Sequence, residues 1–504
     1  MADRLSPRSR RLRNIFFRTP ATLGDEAVHL NDGASTAVGP SSRLCSGRTL
    51  YKLYVLYSLF LGVFLVFATP PFQTPDAIAH FERAIQISSG TPFGQKFDGT
   101  SGGELDKSAI EFSDIYSVIP FHPDVKATDD MRQRADRLRW SDSTARAVFP
   151  NTSIYPAYTY VPQGIVIALG RAFDVKIRDV YIVVCLVDLL ISVSITAWAI
   201  AIAPRVAPLL FALALLPSTL MIYSSVSQEI TILPLCLLLA AYIDRFSANG
   251  LPLSARWRWR LVAVLAVCAS ARPPYAGLLF LFFIPTIVMD EEGAYRFGRR
   301  LVLFLACAAA SVAGIVLFGF RAWSNFGPEH SVAGQLSYLL HTPSAVVSIA
   351  VETLRVQGAF YFTSFVGILG WLDTFLGVGY YKAAFVMLIA ALLSVALRDR
   401  ESAPPRAMQR MTILIPLLIS VAMIFGSLYL AWTPVQKNVV DGVQGRYFLA
   451  LAPLLGIAIP AMGGSGSTNL WPRIRLAAMT CVVLFPCYTF VRLIEAVIER
   501  FYLH

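Results

Sequence analysis

A chain of 504 residues with 56% hydrophobic and only 15% charged side chains, and a mean hydropathy of +0.58, is too apolar for an ordinary soluble domain. Its apolar runs recur from Leu50 almost to the C-terminus and, as in Val180 to Ala203, are apolar on every face. That excludes a barrel of alternating strands and predicts an all-α integral membrane protein of about 11 transmembrane helices. The 43 Lys and Arg exceed the 32 Asp and Glu in short clusters between apolar runs, where they set orientation in the bilayer and imply no nucleic acid.

Residues 1–49 read as a disordered basic tail, with Arg4, Arg8, Arg10, Arg11, Arg13, Arg18 and Arg43 among Ser, Pro and Gly. The run 50–69 begins too far into the chain for a secretory signal and lacks a small-residue cleavage site, so it reads as an uncleaved first transmembrane helix. Residues 70–179 form the one large polar interruption. With the tail in the cytoplasm, this loop is periplasmic. Inside it, Tyr158 to Phe173 is apolar but only about 14 to 16 residues long, short for a span. Counting it as one puts Arg245, Arg256, Arg258, Arg260 and the Arg398 to Arg410 cluster outside, against the positive-inside bias. It therefore reads as a helix lying at the outer interface.

The rest, 180–504, is a multi-pass bundle with spans near 180–203, 206–223, 229–246, 259–271, 275–289, 300–320, 379–397, 411–431, 446–462 and 474–496. With 50–69 these make eleven, so the C-terminus is periplasmic and the clusters at Arg205, Arg245 to Arg260, Arg296 to Arg300, Arg398 to Arg410, and Arg473 with Arg475 are all cytoplasmic. Residues 321–378 form an outer loop with an amphipathic helix over Ser344 to Arg355, then a Gly and aromatic segment from Gly358 to Gly377. The seven cysteines lie in apolar stretches or the tail, which leaves no disulfide framework and no Cys-based metal spacing.

Threaded this way, the polar residues close to the membrane on the outer side collect on one face. Directly after the first span come Pro75, Asp76, His80 and Arg83. A helix starting at Pro75 puts Asp76, His80 and Arg83 at i, i+4 and i+7, on one stripe. An Asp after a Pro is commonly a helix-start residue. Beside an imidazole and a guanidinium, it is also suited to take a proton from a hydroxyl while the Arg holds a phosphate. Tyr155, Tyr158 and Gln163 bring further groups to the interface, Arg272 and Tyr275 mark a tight outer turn, Arg446 and Tyr447 open a late span, and Glu229 and Asp373 add carboxylates at outer turns. Interfacial Tyr and snorkelling Arg are ordinary features. Arg272 and Arg446, however, stand on the side the charge bias disfavours, which points to an anionic ligand such as a lipid phosphate. Within the spans, Asp188 is the clearest ionisable residue, and Arg492 with Glu495 form an i,i+3 pair. The sequence has no GxxxxGK[ST], HExxH or GxSxG motif.

The block from Pro70-Pro71-Phe72 to Arg83 resembles the Pro-Pro-Asp-Glu-x-x-His-x-x-Arg hallmark of a family of bacterial multi-pass membrane proteins of unknown function, usually placed with the C-type glycosyltransferases that use polyprenyl-phosphate-linked sugars. The likeness continues through Tyr155 to Arg171, Ser227 to Ile230, Arg272 to Tyr275, Gly367 to Thr374 and Gly442 to Leu451. The resemblance implies a large first periplasmic loop carrying membrane-lying helices, an acidic base just after the first span, here Asp76, and inversion at the sugar carbon. Two positions depart from the pattern. Ala77 stands where Glu is common, removing a candidate ligand or second carboxylate, and Gln228-Glu229 replaces a Pro-Asp pair. The cofactor is therefore unassigned, and the sequence lends no support to a divalent metal.

Taken together, the residues and the resemblance lead us to expect an enzyme of the bacterial inner membrane that moves a sugar from a polyprenyl-phosphate donor to a polysaccharide or lipid acceptor on the periplasmic face. The competing reading is a transporter or flippase of a lipid-linked sugar. A carrier should line a path across the bilayer with polar groups, whereas here they gather on one side.

Overall fold

The computed structural model describes residues 46–141, 143–249, 255–284, 296–323, 329–398, 411–462 and 470–503. Most of the expected basic tail, and residues 399–410 of one basic cluster, lie outside them. The first helix, α1 (Gly47–Ala68), is capped by Ser46, whose hydroxyl accepts the Thr49 N–H at 3.3 Å.

The polar segment that follows folds as a small unit. Its elements are α2 (Ala77–Ser88), β1 (Gln95–Phe97), β2 (Thr100–Asp106), α3 (Lys107–Tyr116), α4 (Asp129–Arg137), β3 (Thr144–Val148) and α5 (Val161–Ala172). The strands form an antiparallel sheet in the order β1-β2-β3, the one sheet among the described residues and a departure from the all-helical expectation. Its cause is local: Asp98 (φ 49°) and Gly99 (φ 80°) form a two-residue hairpin turn of the kind Asp-Gly favours.

The short helix expected near Tyr158 to Phe173 is α5, 12 residues long, too short to cross a bilayer. Val161, Ile165, Leu169 and Phe173 form an exposed apolar stripe on it, while Gln163, Gly164, Ile167 and Gly170 pack inward. Gly170 is needed for that packing, because a Cβ there would run into Val180.

The bundle proper continues with α6 (Ile177–Ile202), α7 (Ala207–Ala214), α8 (Pro217–Tyr223), α9 (Glu229–Asn249), α10 (Ala255–Ala271), a 3₁₀ helix (Pro273–Phe283), and α11 (Phe297–Gly314) running on as a π-helix (Ile315–Phe320). It closes with α12 (Val332–His341), α13 (Ala345–Val366), α14 (Val378–Ala396), α15 (Leu414–Ala431), a 3₁₀ turn (Gly445–Phe448), α16 (Pro453–Ala458) and α17 (Leu470–Phe501). Among the described residues seven helices are long and apolar enough to cross a membrane: α1, α6, α9, α11 with its π extension, α14, α15 and α17. The other four expected spans are shorter or broken. Residues 206–223 break before Pro217, which disfavours a helical residue ahead of it. The 259–271 span is the 17-residue α10, 275–289 is 3₁₀ through Phe283, and 446–462 is a 3₁₀ turn followed by α16.

Contacts fix the directions of these segments. The Tyr181 hydroxyl, early in α6, accepts the Phe72 N–H just past the end of α1 at 3.0 Å, and Gly47 at α1's start packs against the Ile200 carbonyl, so α1 and α6 are antiparallel. Ser192 donates to the Ile230 carbonyl at 2.9 Å and Arg205 pairs with Asp244 at 2.6 Å, so α6 and α9 are parallel and the chain returns between them through α7 and α8. Phe60 meets Phe490 at 4.8 Å and Tyr502 donates to the Ala68 carbonyl at 2.9 Å, so α17 runs parallel to α1. Residues 46 and 503 therefore lie at opposite ends of the bundle. The first half of α13 buries Ala345, Ile349 and Thr353 and exposes Val346, Val347, Val351 and Leu354, the amphipathic pattern expected there.

Candidate functional site

The chain leaving α1 is turned sharply into α2. Phe72, at φ 64°, packs its ring on Phe81, Phe112 and Tyr181 at 5.5, 5.1 and 4.6 Å, and its carbonyl accepts from Trp371 Nε1 at 2.8 Å. Gln73 Nε2 donates to the Pro71 and Tyr116 carbonyls at 3.1 and 3.2 Å. These anchors deliver Asp76 to the N-cap of α2 in a left-handed conformation, φ 65°. Its carboxylate does not cap the helix. Instead Oδ1 accepts from Asn151 Nδ2 at 2.8 Å and Oδ2 lies 3.6 Å from Arg446 Nη2. A non-glycine residue held at positive φ costs roughly 1 to 3 kcal/mol and persists where the surroundings over-determine it, often at functional sites.

Around Asp76 and His80 the fold gathers residues from four distant stretches. His80, one turn along α2, is buried, stacks on Tyr155 with centroids 6.2 Å apart, and sits 2.6 Å from the Tyr160 hydroxyl through Nδ1. Glu229 opens α9 and ion-pairs with Arg272, which follows α10. Arg272 and Arg446 both reach the Tyr447 ring, at 5.1 and 5.6 Å. The Tyr275 hydroxyl donates to the Tyr447 carbonyl at 3.1 Å. Gly445 permits this approach, since a Cβ there would strike the backbone of Tyr361 and Phe365. The Nε–H groups of Arg272 and Arg446 are buried and meet no acceptor.

Burial dominates the electrostatics. It lowers His80 to about 4; the negative charges of Asp76 and Glu229 pull upward, and Arg272 and Arg446 push down. Tyr160 is raised well above 10 by burial and stays a neutral phenol, hydrogen-bonded to His80 Nδ1. Burial likewise raises Tyr155 to about 12, against the pull of Arg272. A pH effect follows. Below about 6.5 an unfolded histidine takes up a proton that His80 refuses until about 4, so stability should fall as pH drops through that window, by at most about 1.4 kcal/mol per pH unit. Melting curves of purified wild type and His80→Gln from pH 7.5 to 4.5 should show the slope in wild type and a flatter one in the variant. An equal slope in both would assign the acid sensitivity elsewhere.

Of the residues singled out in the sequence, Asp76, His80, Tyr155, Glu229, Arg272, Tyr275, Arg446 and Tyr447 come together. Four do not. Arg83, expected to hold phosphate, is instead fully buried and donates to Gln86 and to the carbonyls of Pro92 and Tyr155, at 2.8 and 3.1 Å for the latter two. It welds the loop to α2. Gln163 is buried against Asp188 Oδ2 and the Ser227 carbonyl, at 3.1 and 3.3 Å. Tyr158 bonds Ser270 Oγ at 2.7 Å. Asp373 binds Arg500 and the Phe121 N–H, at 2.8 and 3.2 Å, and so fastens the end of α17 to the loop. Tyr160, from the same interfacial stretch as Tyr155, joins the cluster, and Asn151 is an addition. Asn151 sits on the helical turn Pro150–Ser153, held by Thr152 Oγ1 on the Ala79 carbonyl at 2.8 Å. No local pattern marks it.

Beside the cluster lies an apolar cavity of about 210 Å³, lined by Tyr155 and Pro156, by Ala271 and Pro273 on either side of Arg272, and by Gly314 and Phe320 of the weakly packed α11 and its π extension. Charged groups and an apolar cleft thus adjoin. Among the described residues no group of three or more His, Cys, Asp or Glu is placed to hold a metal ion.

A model of the predicted membrane protein family DUF2142 matches residues 59–455, and the chain belongs to that family. No curated protein and no solved structure matches it.

Proposed function

We propose that this protein is a glycosyltransferase of the bacterial inner membrane, with the loop of residues 70–179 on the periplasmic side, moving a sugar from a polyprenyl-phosphate donor to a cell-surface polysaccharide or lipid. The observation that carries the proposal is the Asp76 carboxylate, displaced from helix capping and lying 3.6 Å from Arg446, which shares the Tyr447 ring with Arg272; both guanidiniums retain a buried Nε–H without an acceptor. A carboxylate of this kind takes the proton of an attacking hydroxyl. Two guanidiniums bind a phosphate and stabilise the charge that grows on it as the glycosidic bond breaks. The adjoining apolar cavity suits an isoprenoid chain. The likeness of the Pro70 to Arg83 block to C-type glycosyltransferases supports the same reading, and inversion at the sugar carbon follows from that likeness.

The orientation rests on charge. Arg48, Arg205, Arg245, Arg256, Arg258, Arg260, Arg296, Arg299, Arg398, Arg473 and Arg475 all occupy helix ends away from the site, as a cytoplasmic face requires. Alternating directions of the seven long helices and the four shorter segments then make eleven crossings, with the N-terminus cytoplasmic and the C-terminus periplasmic.

The test is a deletion strain, with surface polysaccharide and lipids weighed by mass spectrometry. Loss of one sugar-sized increment, with the donor lipid accumulating in the periplasmic leaflet, is the expected result. Donor accumulating in the cytoplasmic leaflet, with every sugar it supplies missing, would instead identify a flippase.

A further inference from the structure

Asp188 stands outside the cluster around Asp76, and sugar transfer makes no use of it. It is fully buried in the first half of α6, a membrane-crossing helix. Gln163 Nε2 donates to its Oδ2 at 3.1 Å and to the Ser227 carbonyl at 3.3 Å, and among the described residues no Lys, Arg or His pairs with it. A carboxylate so placed is costly unless its charge is compensated. The chain beside it is irregular. Ser224 to Gln228, the link between α8 and α9, is non-helical yet wholly buried. It lies along α6 with Asp188 at its middle: Cys185 meets the backbone of Val226, Gln163 reaches Ser227, and Ser192 donates to the Ile230 carbonyl at 2.9 Å. On these few residues five buried polar atoms meet no hydrogen-bond partner: Asp188 Oδ1, Gln163 Oε1, Ser224 Oγ and both amide atoms of Gln228. The Gln163 orientation is fixed, since turning its amide over would set its oxygen against two acceptors. Asp188 Oδ1 and Gln163 Oε1 are thus two acceptors without a donor. A water would satisfy their hydrogen bonding and leave the charge of Asp188 in place, whereas a cation answers both.

We propose that Asp188 and Gln163, with Gln228 and Ser224 of the link, bind a monovalent alkali cation. One carboxylate among neutral amide and hydroxyl oxygens matches a single positive charge; a divalent ion would leave a buried surplus and favours sites with more carboxylates. Irregular backbone buried between membrane helices is also where such ions are seated in membrane proteins. A cavity of about 20 Å³, room for one water, is lined by Cys185, Ser224 and Ser225 and, across it, by Gln73 and Thr74 of the turn into α2, and it offers a hydrated approach. The inference is independent of sugar transfer. The ion ties α5, α6 and the link together, and the residue after the link is Glu229, so the ion also fixes the position of the carboxylate that pairs with Arg272.

The test is thermal melting of the full-length protein in nanodiscs, with sodium, potassium or choline chloride titrated at constant ionic strength. Wild type should melt about 2 °C or more higher in sodium or potassium than in choline, the gain should saturate with concentration, and the stronger of the two names the ion. Asp188→Asn, which keeps the shape and removes the charge, should melt alike in all three salts. Gln163→Met, which removes one ligand oxygen, should raise the half-saturating concentration at least about tenfold. Wild-type curves that coincide in the three salts overturn the inference whether or not either variant folds. So does an alkali-cation shift that survives in Asp188→Asn, or a half-saturating concentration that Gln163→Met leaves unmoved. None of these outcomes bears on Asp76 or on sugar transfer, which stand or fall by the deletion strain.

Discussion

Asp76→Asn is expected to lower sugar transfer by about two to four orders of magnitude while leaving the fold and donor binding in place. Asparagine is the informative substitution because the backbone at this position is left-handed, φ 65°, a conformation that Asn tolerates as well as Asp does. Its amide oxygen still accepts the Asn151 Nδ2–H that now reaches Oδ1 at 2.8 Å. The change removes the charge, and with it the capacity to accept a proton. Arg446, 3.6 Å away, loses an anionic neighbour and is freer for a phosphate, so donor affinity should hold or rise while turnover collapses. Asp76→Ala would blur the result, since alanine in the left-handed region adds a cost of about 1 to 2 kcal/mol. The measurement is transfer in a deletion strain carrying either variant at matched protein levels, read as the missing sugar increment, with the melting temperature of each purified protein alongside. An Asp76→Asn variant that keeps more than about a tenth of the wild-type rate would remove Asp76 from the proposed chemistry.

The long spans were legible because lipid demands about 20 consecutive apolar residues, a constraint strong enough to survive without any knowledge of packing. Short length and charge bias together keep Tyr158 to Phe173 out of the list of spans, and α5 is a 12-residue helix with one apolar stripe exposed. The one sequence mark of the hairpin is Asp98-Gly99, a pair that favours a two-residue turn between antiparallel strands. Within the site, Arg272 and Arg446 stood out as guanidiniums on the face that charge bias disfavours, and they do converge on Tyr447. Arg83 was misplaced for a specific reason. The i, i+4, i+7 stripe took Asp76 as part of the helix, whereas the helix starts at Ala77 with Asp76 turned out of it, and Arg83 faces the interior. Asp373 could not be placed from sequence, because its partner Arg500 lies 127 residues away. Asn151 gave no signal, since an amide on a short loop turn acquires its meaning only from the carboxylate opposite it.

Asp244→Ala should produce the largest loss of stability, about 3 to 5 kcal/mol, without touching the site. Asp244 is fully buried at the end of the bundle away from the loop. Its Oδ1 accepts from Arg205 Nε at 2.6 Å, and Oδ2 accepts the backbone N–H groups of Arg205 and Val206 at 2.8 and 3.0 Å. The Asp244 carbonyl also receives Arg205 Nη2 at 2.9 Å. One side chain therefore closes the turn between α6 and α7 and neutralises a buried guanidinium. Alanine would remove the carboxylate from that guanidinium and from the two buried backbone N–H groups of the turn, and breaking such a buried ionic network by deleting one member is costly. Asp244→Asn keeps an acceptor and should cost less. Unfolding of detergent-purified variants followed by thermal melting checks the ranking, and an Asp244→Ala protein melting within about a degree or two of wild type would overturn it. The same variant probes how the site is held. Because α6 and α9 run parallel, Arg205 with Asp244 pins one end of the pair while Ser192 on the Ile230 carbonyl holds it beside Glu229. If the far pin sets the register of α9, the Asp244→Ala variant should also weaken anion binding at Arg272; if the contacts nearer the site suffice, its surviving folded fraction should bind as wild type does.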